Sequence, residues 1–354
     1  MVDLCNKLST EHEVTIFTIY SKGEMEKELS KNITLKSLYN YTYNEMSKIK
    51  KMLLPLKIFF TKKIIYKKNI EQEKYNVEVS FLEGPITNIF ATKNTKAKKI
   101  AWIHNDISKV FGTGIKSKIK KILNKNVYNK YSNLVFVSND NLEKFNNIYN
   151  VNNKKHVIYN YINPENVIQK SNNKIEQFIN KNTINFMSVC RLVEQKALLR
   201  LINVHSKLLK NNLNHKIYIV GDGPLKEQLE EEIKKQNVQN SFILLGKQTN
   251  PYPYIKQAQI FCLFSYYEGY PMVVEEAKIL NKYIAVTDTA VREVLRNYEN
   301  KIIVENTENA IYNGIKQIIQ NKETYLNKNK EFVYTNNVII EQVKNILKNN
   351  AIEV

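Results

Sequence analysis

The residues with the most chemical promise lie in the run Ser265-Tyr-Tyr-Glu268-Gly269-Tyr270-Pro271-Met-Val-Val-Glu-Glu276-Ala277. Ile260–Phe264, just before it, reads as a buried strand, Glu268-Gly269 as a turn, and Pro271 as the first residue of a helix, where proline's missing N–H does no harm. The backbone N–H groups of Met272, Val273 and Val274 then point outward unpaired, and a helix end of that kind attracts phosphate. Glu268 and Glu276 have seven residues between them. Each carboxylate can accept two hydrogen bonds, as a vicinal diol on a sugar or ribose requires. The plainer alternative is a helix cap and a solvated charge.

Cations stand in a second run, Ser188-Val-Cys190-Arg191-Leu-Val-Glu-Gln195-Lys196-Ala197, directly after a strand-like Ile184–Val189. Ligands bind at the carboxyl ends of strands in open α/β sheets. Arg191 and Lys196, five residues apart across a turn, are spaced to reach one diphosphate, the first as a planar fork and the second as a point charge. Val220-Gly221-Asp222-Gly223-Pro224 follows another strand. It is a tight turn at the sheet edge, without the third glycine of a dinucleotide fingerprint or the Gly-Lys-Ser of a P-loop. His104, in Trp102-Ile-His104-Asn105-Asp106, sits where a strand ends and faces a cleft in this reading; His12, His156, His205 and His215 have no such setting. No Asp-x-Asp, His-x-x-x-His or Cys-x-x-Cys occurs, so no dedicated metal site is indicated, and no Gly-x-Ser-x-Gly elbow supports Ser-His-Asp chemistry.

Short apolar runs alternate with amphipathic stretches to position these residues. Strands are expected at Val14–Ile19, Val77–Leu82, Lys99–Ile103, Leu134–Val137, Val157–Tyr159, Ile184–Val189, Lys216–Val220, Ser241–Leu245, Ile260–Phe264 and Tyr283–Val286. Helices are expected between them, which implies an α/β chain with parallel sheets. The length of 354 residues suggests two domains. The boundaries read as 1–162 for the first, a polar linker at 163–183, 184–336 for the second, and a last amphipathic helix at 337–354 that returns to the first. With 43% apolar and 25% charged residues, and three well-separated cysteines, the chain is neither disordered nor a disulfide scaffold. No leader or spanning run opens it, so a cytoplasmic location is expected.

The net charge is +19. Residues 1–180 carry 30 basic and 16 acidic side chains against 23 and 18 in the remainder. An AT-rich coding sequence accounts for abundant lysine, but less well for that asymmetry. A basic first half attracts phosphates of nucleic acid, anionic lipid or a phosphorylated substrate.

The order Val-Cys190-Arg191-Leu-x-x-Gln195-Lys196, then Val-Gly221-Asp-Gly-Pro, then Glu268-Gly269-Tyr-Pro followed by Glu276 resembles the retaining glycosyltransferases of family four, which have the GT-B fold. Phe81-Leu-Glu-Gly followed by Lys99-Ile-Ala-Trp-Ile-His-Asn-Asp resembles the bacterial polysaccharide branch. The resemblance implies two Rossmann-like domains facing across a cleft, with a nucleotide-sugar donor, most often a UDP-sugar, in the second. Arg191 and Lys196 would bind its diphosphate and Glu276 the ribose. Glu268 would contact the donor sugar, and His104 would approach it from the acceptor side. The acceptor would be a glycan or a lipid-linked glycan, with no metal or other cofactor. The chain departs from the family pattern at Cys190, expected to crowd the phosphate, and at Ala197, a mild change if the backbone angle is ordinary; glycine is usual at both. The family's first strand and glycine-rich loop are also not seen, so a truncated chain is expected. Rival readings are an inactive truncated homologue, a GT-B sugar-nucleotide epimerase and a basic nucleic-acid-binding protein.

Lys48–Lys68 (KIKKMLLPLKIFFTKKIIYKK) alternates apolar clusters with lysines, and Lys116–Lys125 is a second basic stretch. Such a segment suits an anionic membrane surface and a peripheral location at the inner face of the plasma membrane. Alternatively, its apolar side packs on the domain and its lysines snorkel to solvent.

Overall fold

The computed structural model describes residues 1–92, 96–106, 115–176, 179, 183–327 and 332–348, without the side chains of 115–120, 326 and 327. Two compact units result: Met1–Ile162 with Asn336–Val354, and Asn163–Thr335.

The first unit holds two parallel sheets. β1 (Val14–Tyr20) pairs with β2 (Ile33–Tyr39). β3 (Val77–Ser80), β4 (Lys98–Ile103), β5 (Asn133–Phe136) and β6 (Lys154–Val157) form the other in that order. From Ile100 in β4 and Leu134 in β5 the strands are apolar and buried, as strands covered on both faces should be. β6 was expected over Val157–Tyr159; it runs from Lys154, pairing Lys155 and His156 with Leu134 and Val135. It lies at a sheet edge, where polar residues are tolerated. The helix Asn337–Leu347 belongs to this unit: Lys344 pairs with Glu11 at 2.8 Å, Lys98 donates to the Lys348 carbonyl at 2.8 Å, and Asn336 donates to the Ile162 carbonyl.

The second unit carries β7 (Ile184–Val189), β8 (His215–Val220), β9 (Phe242–Gly246), β10 (Ile260–Leu263), β11 (Tyr283–Thr287) and β12 (Lys301–Val304). They make one parallel sheet in the order β12-β11-β10-β7-β8-β9. The order reverses between β7 and β10, which makes that crevice the topological switch point. Helix Leu198–Lys210 covers one face, burying Leu201, Ile202, Val204 and Leu208 against Phe186, Ile217 and Ile315. His205 and His215 are buried beneath it, with Nδ1 of the former 2.8 Å from Nε2 of the latter. Burial holds His215 down to about 4 and His205 lower still.

The stretch 163–183, expected as a linker, opens on a helix, Pro164–Ser171. Asn163 caps it by accepting from the N–H groups of Glu165 and Asn166, and Pro164 follows at the start of the helix. Val167 is buried, and Asn250 donates to the Lys170 carbonyl at 2.8 Å, so the helix is part of the second unit. One apolar anchor in eight polar-looking residues was too little to show in the composition.

Candidate active site

The loops after β7 and β10 meet at the switch point and are fastened by backbone and side chain. The Tyr266 N–H donates to the Gln195 carbonyl at 2.9 Å, and the Gln195 side-chain amide donates to the Tyr267 carbonyl at 2.8 Å. Between these ties Lys196 Nζ lies 2.6 Å from Glu268 Oε1, with 11% and 6% of the two side chains exposed. The structure therefore brings together the ammonium and the carboxylate that the sequence placed 72 residues apart. Arg191 leaves the same loop exposed to solvent.

The loop after β8 is locked to the same turn. The Cys190 N–H donates to the Val220 carbonyl, the Leu192 N–H to the Asp222 carbonyl, and the Leu225 N–H back to the Leu192 carbonyl. The approach is so close that a Cβ on Gly221 would lie 1.8 Å from the Cys190 carbonyl oxygen, and one on Gly223 2.5 Å from that of Leu192. Gly221 thus has a packing reason to be glycine. Cys190 turns its side chain against the apolar core, with Sγ 3.8 Å from the Ser188 hydroxyl. Burial pushes its thiol up to about 11, so it is a neutral group beside Lys196.

Three expectations at this site need correction. Pro271 was expected as the first helical residue; it is the N-cap, with an extended ψ of 103°, and the helix runs Met272–Ile279. The Val274 N–H was expected free, but it donates to the Pro271 carbonyl at 3.0 Å, closing a tight first turn. The N–H groups of Met272 and Val273 have no acceptor among the described residues. Glu276 is half-buried on this helix, where the Tyr252 hydroxyl lies 3.4 Å from its Oε1. Ala197 was expected to be a mild change on an ordinary backbone. Its φ of 52° and ψ of 34° are left-handed, so a methyl group stands where the backbone favours glycine.

Residues that sequence reasoning passed over hold the loops in place. Arg200 donates to the Phe264 carbonyl at 2.8 Å and to Asn306, with its guanidinium 4.4 Å from the centre of the Tyr266 ring. An arginine in an otherwise aliphatic helix face was the available signal. Glu275, not its neighbour Glu276, is the buried acid of the helix; it pairs with Lys278 at 2.9 Å and accepts from the Tyr270 hydroxyl.

In the first unit, His104 follows β4, with its ring tilted against that of Phe81 at 4.7 Å between centres. Its backbone N–H and that of Asn105 both donate to Glu83 Oε1, at 2.6 and 2.7 Å, so the carboxylate fixes the turn that presents the ring. Nε2 is buried without a hydrogen-bond partner among the described residues. Burial, with the Met1 amine nearby, lowers the imidazole to about 4, which leaves it neutral at pH 7.

A doubly wound parallel sheet with a cation, a carboxylate and an open helix end at its switch point defines an α/β unit of the kind that binds ligands at the carboxyl ends of its strands. The family described as glycosyl transferases group 1 matches residues 169–335. An uncharacterized glycosyltransferase of Methanocaldococcus jannaschii is 31% identical over 311 residues, 83% of this chain and 73% of its own length. The chain belongs to this glycosyltransferase family. The N-acetylgalactosamine-N,N'-diacetylbacillosaminyl-diphospho-undecaprenol 4-alpha-N-acetylgalactosaminyltransferase of Campylobacter jejuni is 31% identical over 60% of this chain, and the match spans 59% of that relative's length. Among solved structures, HepE of Anabaena in complex with UDP and glucose superposes with a TM-score of 0.68 at 14% identity, over 98% of this chain and 92% of its own.

Proposed function

We propose that the chain transfers a hexose or N-acetylhexosamine from a nucleotide sugar, with UDP as the nucleotide, to a glycan or lipid-linked acceptor in cell-surface polysaccharide synthesis. Transfer proceeds with retention at the anomeric carbon and without a metal. The observation that carries the reading is the Lys196–Glu268 ion pair, held at the switch point by loops fastened to each other. Breaking the bond from the anomeric carbon to phosphate leaves negative charge on the diphosphate. Lys196, Arg191 and the N–H groups of Met272 and Val273 are donors set before that charge develops, so little reorganisation is needed when it does. Glu268 holds one proton of the ammonium and leaves the others for phosphate, while its second oxygen accepts a sugar hydroxyl. Glu276 accepts from the ribose diol. The leaving phosphate takes the acceptor's proton on the same face, so Glu268 is not the nucleophile. His104, neutral and with Nε2 unpartnered, accepts from a sugar hydroxyl.

The complex of UDP and glucose with HepE, a protein of the same fold, supports the nucleotide, and the undecaprenol-linked substrate in the Campylobacter relative's name supports a lipid-linked acceptor. The test is a melting-temperature series with UDP-, GDP- and ADP-sugars. A UDP-sugar at 100 times its Kd stabilises the protein by about 2.7 kcal/mol. Stabilisation by no UDP-sugar overturns the donor assignment. Interconversion of the nucleotide sugar without acceptor replaces transfer by epimerisation.

A further inference from the structure

Glu268 stands on a turn with no backbone fastening of its own. Among the described residues neither Glu268 nor Gly269 takes part in a backbone–backbone hydrogen bond. The turn is tied on either side instead. Behind it, Tyr266 and Tyr267 are bonded to Gln195. Ahead of it Pro271 has no N–H to give, and Tyr270 reaches past that proline: its hydroxyl donates to Glu275, in the first turn of helix Met272–Ile279. Tyr270 and Glu275 are both buried. Glu275 is held in turn by Lys278, whose side chain is 9% exposed against 4% for the glutamate. The ammonium is anchored on its other sides. It donates to the Val294 carbonyl at 2.6 Å and lies 5.4 and 5.7 Å from the centres of the Phe332 and Tyr334 rings. A pair this deep gives back in attraction about what it loses in leaving water, and apolar residues of the same volume serve stability as well or better. Stability alone gives no reason for charge here.

We infer that Tyr270 is a positioning residue for the transfer reaction: through Glu275, anchored by Lys278, it sets the Glu268 turn in register with the helix end formed by Met272 and Val273. The inference rests on the proposed donor site, and adds a tie that acts through Glu268 rather than on the donor itself. Glu268 and the two N–H groups serve the transition state only where they stand in fixed relation to each other, one on the sugar and the others on the charge developing at phosphate. The tie across Pro271 gives both one frame. Tyr270 carries the turn, and Glu275 carries the helix. Holding the nucleotide, by Arg191, Lys196 and Glu276, does not pass through this tie. Its loss therefore falls on kcat rather than on the donor KM.

Steady-state kinetics of the full chain, with the UDP-sugar and acceptor that the parent uses, test it. Tyr270→Phe removes only the hydroxyl. It should lower kcat by roughly 10- to 100-fold, the loss that a misplacement of about 1 Å brings, with little change in donor KM. Glu275→Gln and Glu275→Leu both leave Lys278 buried without its countercharge, so both should melt below the parent. Only the glutamine still offers Tyr270 an oxygen. Glu275→Leu should lose kcat as Tyr270→Phe does, and Glu275→Gln should recover most of that loss. Rescue by glutamine at a similar fall in melting temperature separates positioning from stability. A crystal structure of Tyr270→Phe reads the tie without any donor, and should show the Glu268 turn displaced by about 1 Å. A parent that transfers from no nucleotide sugar would count against the donor reading, and that structure would then decide the positioning by itself. Parent kcat in Tyr270→Phe, equal kcat in Glu275→Gln and Glu275→Leu, or an unmoved turn in the Tyr270→Phe structure overturns the inference.

Discussion

The two units use the same parallel strand-and-helix construction with different completeness. In the second, six strands form one sheet, and β7, β8 and β10 at its centre are buried almost throughout. In the first, the strands fall into a four-stranded sheet and a separate β1–β2 pair whose residues are mostly half-buried. A two-stranded ribbon is marginal by itself. This one rests on the packing of Phe17, Ile19 and Leu38 against the cluster around Ile58 and Ile89. The site loops differ to match. At the switch point, loop is fastened to loop by backbone hydrogen bonds, whereas the turn bearing His104 is held by side chains: Glu83 accepts from its N–H groups, Asn141 donates to the His104 carbonyl and Lys144 pairs with Asp106. The loops fastened to each other thus stand on the continuous sheet, and the divided unit carries the less regular surroundings of His104.

The largest expected effect tests whether the switch-point site is pre-built. Lys196→Ala removes a donor aimed at the leaving group and leaves Glu268 buried without its cation. Transfer should fall by about 100- to 1,000-fold in kcat, roughly 3–4 kcal/mol of barrier, as for loss of an oxyanion-hole donor. A KM increase at unchanged kcat would mean that the lysine only binds donor, and the contrast between the units would lose its functional meaning.

Acid should find the second unit through its buried histidine pair. Both imidazoles are neutral when folded, and both take protons near pH 6.5 when unfolded. Their contribution is complete above pH 6.5 and is lost as the pH falls toward the folded value of about 4 for His215. His215 alone then removes on the order of 3 kcal/mol by pH 4. Denaturant unfolding from pH 7 to 4 should steepen in the parent. The slope should flatten in His205→Asn/His215→Asn, retaining the parts that His104, His156 and the lowered carboxyls of Glu11, Glu45 and Glu232 contribute with the same sign. An unchanged slope would show that the pair is not what acid attacks.

Hydrogen exchange compares the sheets directly. Amides of β1 and β2 should exchange roughly 30-fold faster than those of β7 and β8, an opening difference of about 2 kcal/mol, because the ribbon can open without the rest. Equal protection would show that the two sheets of the first unit behave as one.

The central strands were legible in the sequence because burial on both faces writes a continuous run of Val, Ile and Phe, as in Ile184–Val189 and Ile260–Leu263. The strands missed or misplaced, β2, β6 and β12, all lie at sheet edges, where one side is open and the pattern is diluted by Lys36, Lys154 and Lys301. Within the site, Lys196 and Glu268 were legible by type and position, each directly after a central strand. Arg200 and Glu275 were not, because their partners, the Phe264 carbonyl and the Tyr270 hydroxyl, are set by tertiary contact. The divided first sheet and the covered side of Lys48–Asn69, with Leu54, Ile58 and Ile65 in the core, were also out of reach. Composition records that a segment is apolar and basic, not which of its faces the protein covers.

The smallest effect bears on how firmly the switch-point loop is set. Ala197 holds a left-handed backbone because its neighbours demand it: its N–H donates to the Glu194 carbonyl at 2.9 Å, and its own carbonyl accepts from Leu201 as helix Leu198–Lys210 begins. A left-handed non-glycine residue costs about 1–2 kcal/mol. Ala197→Gly relieves that strain but makes the unfolded chain more flexible and removes a buried methyl group, terms that act against it. The expected balance is stabilisation by at most about 1 kcal/mol, read as a higher denaturant midpoint at unchanged m-value. A lower midpoint would mean that the loop relaxes around the alanine in solution, and the contrast between a rigid switch point and a loosely built first unit would weaken accordingly.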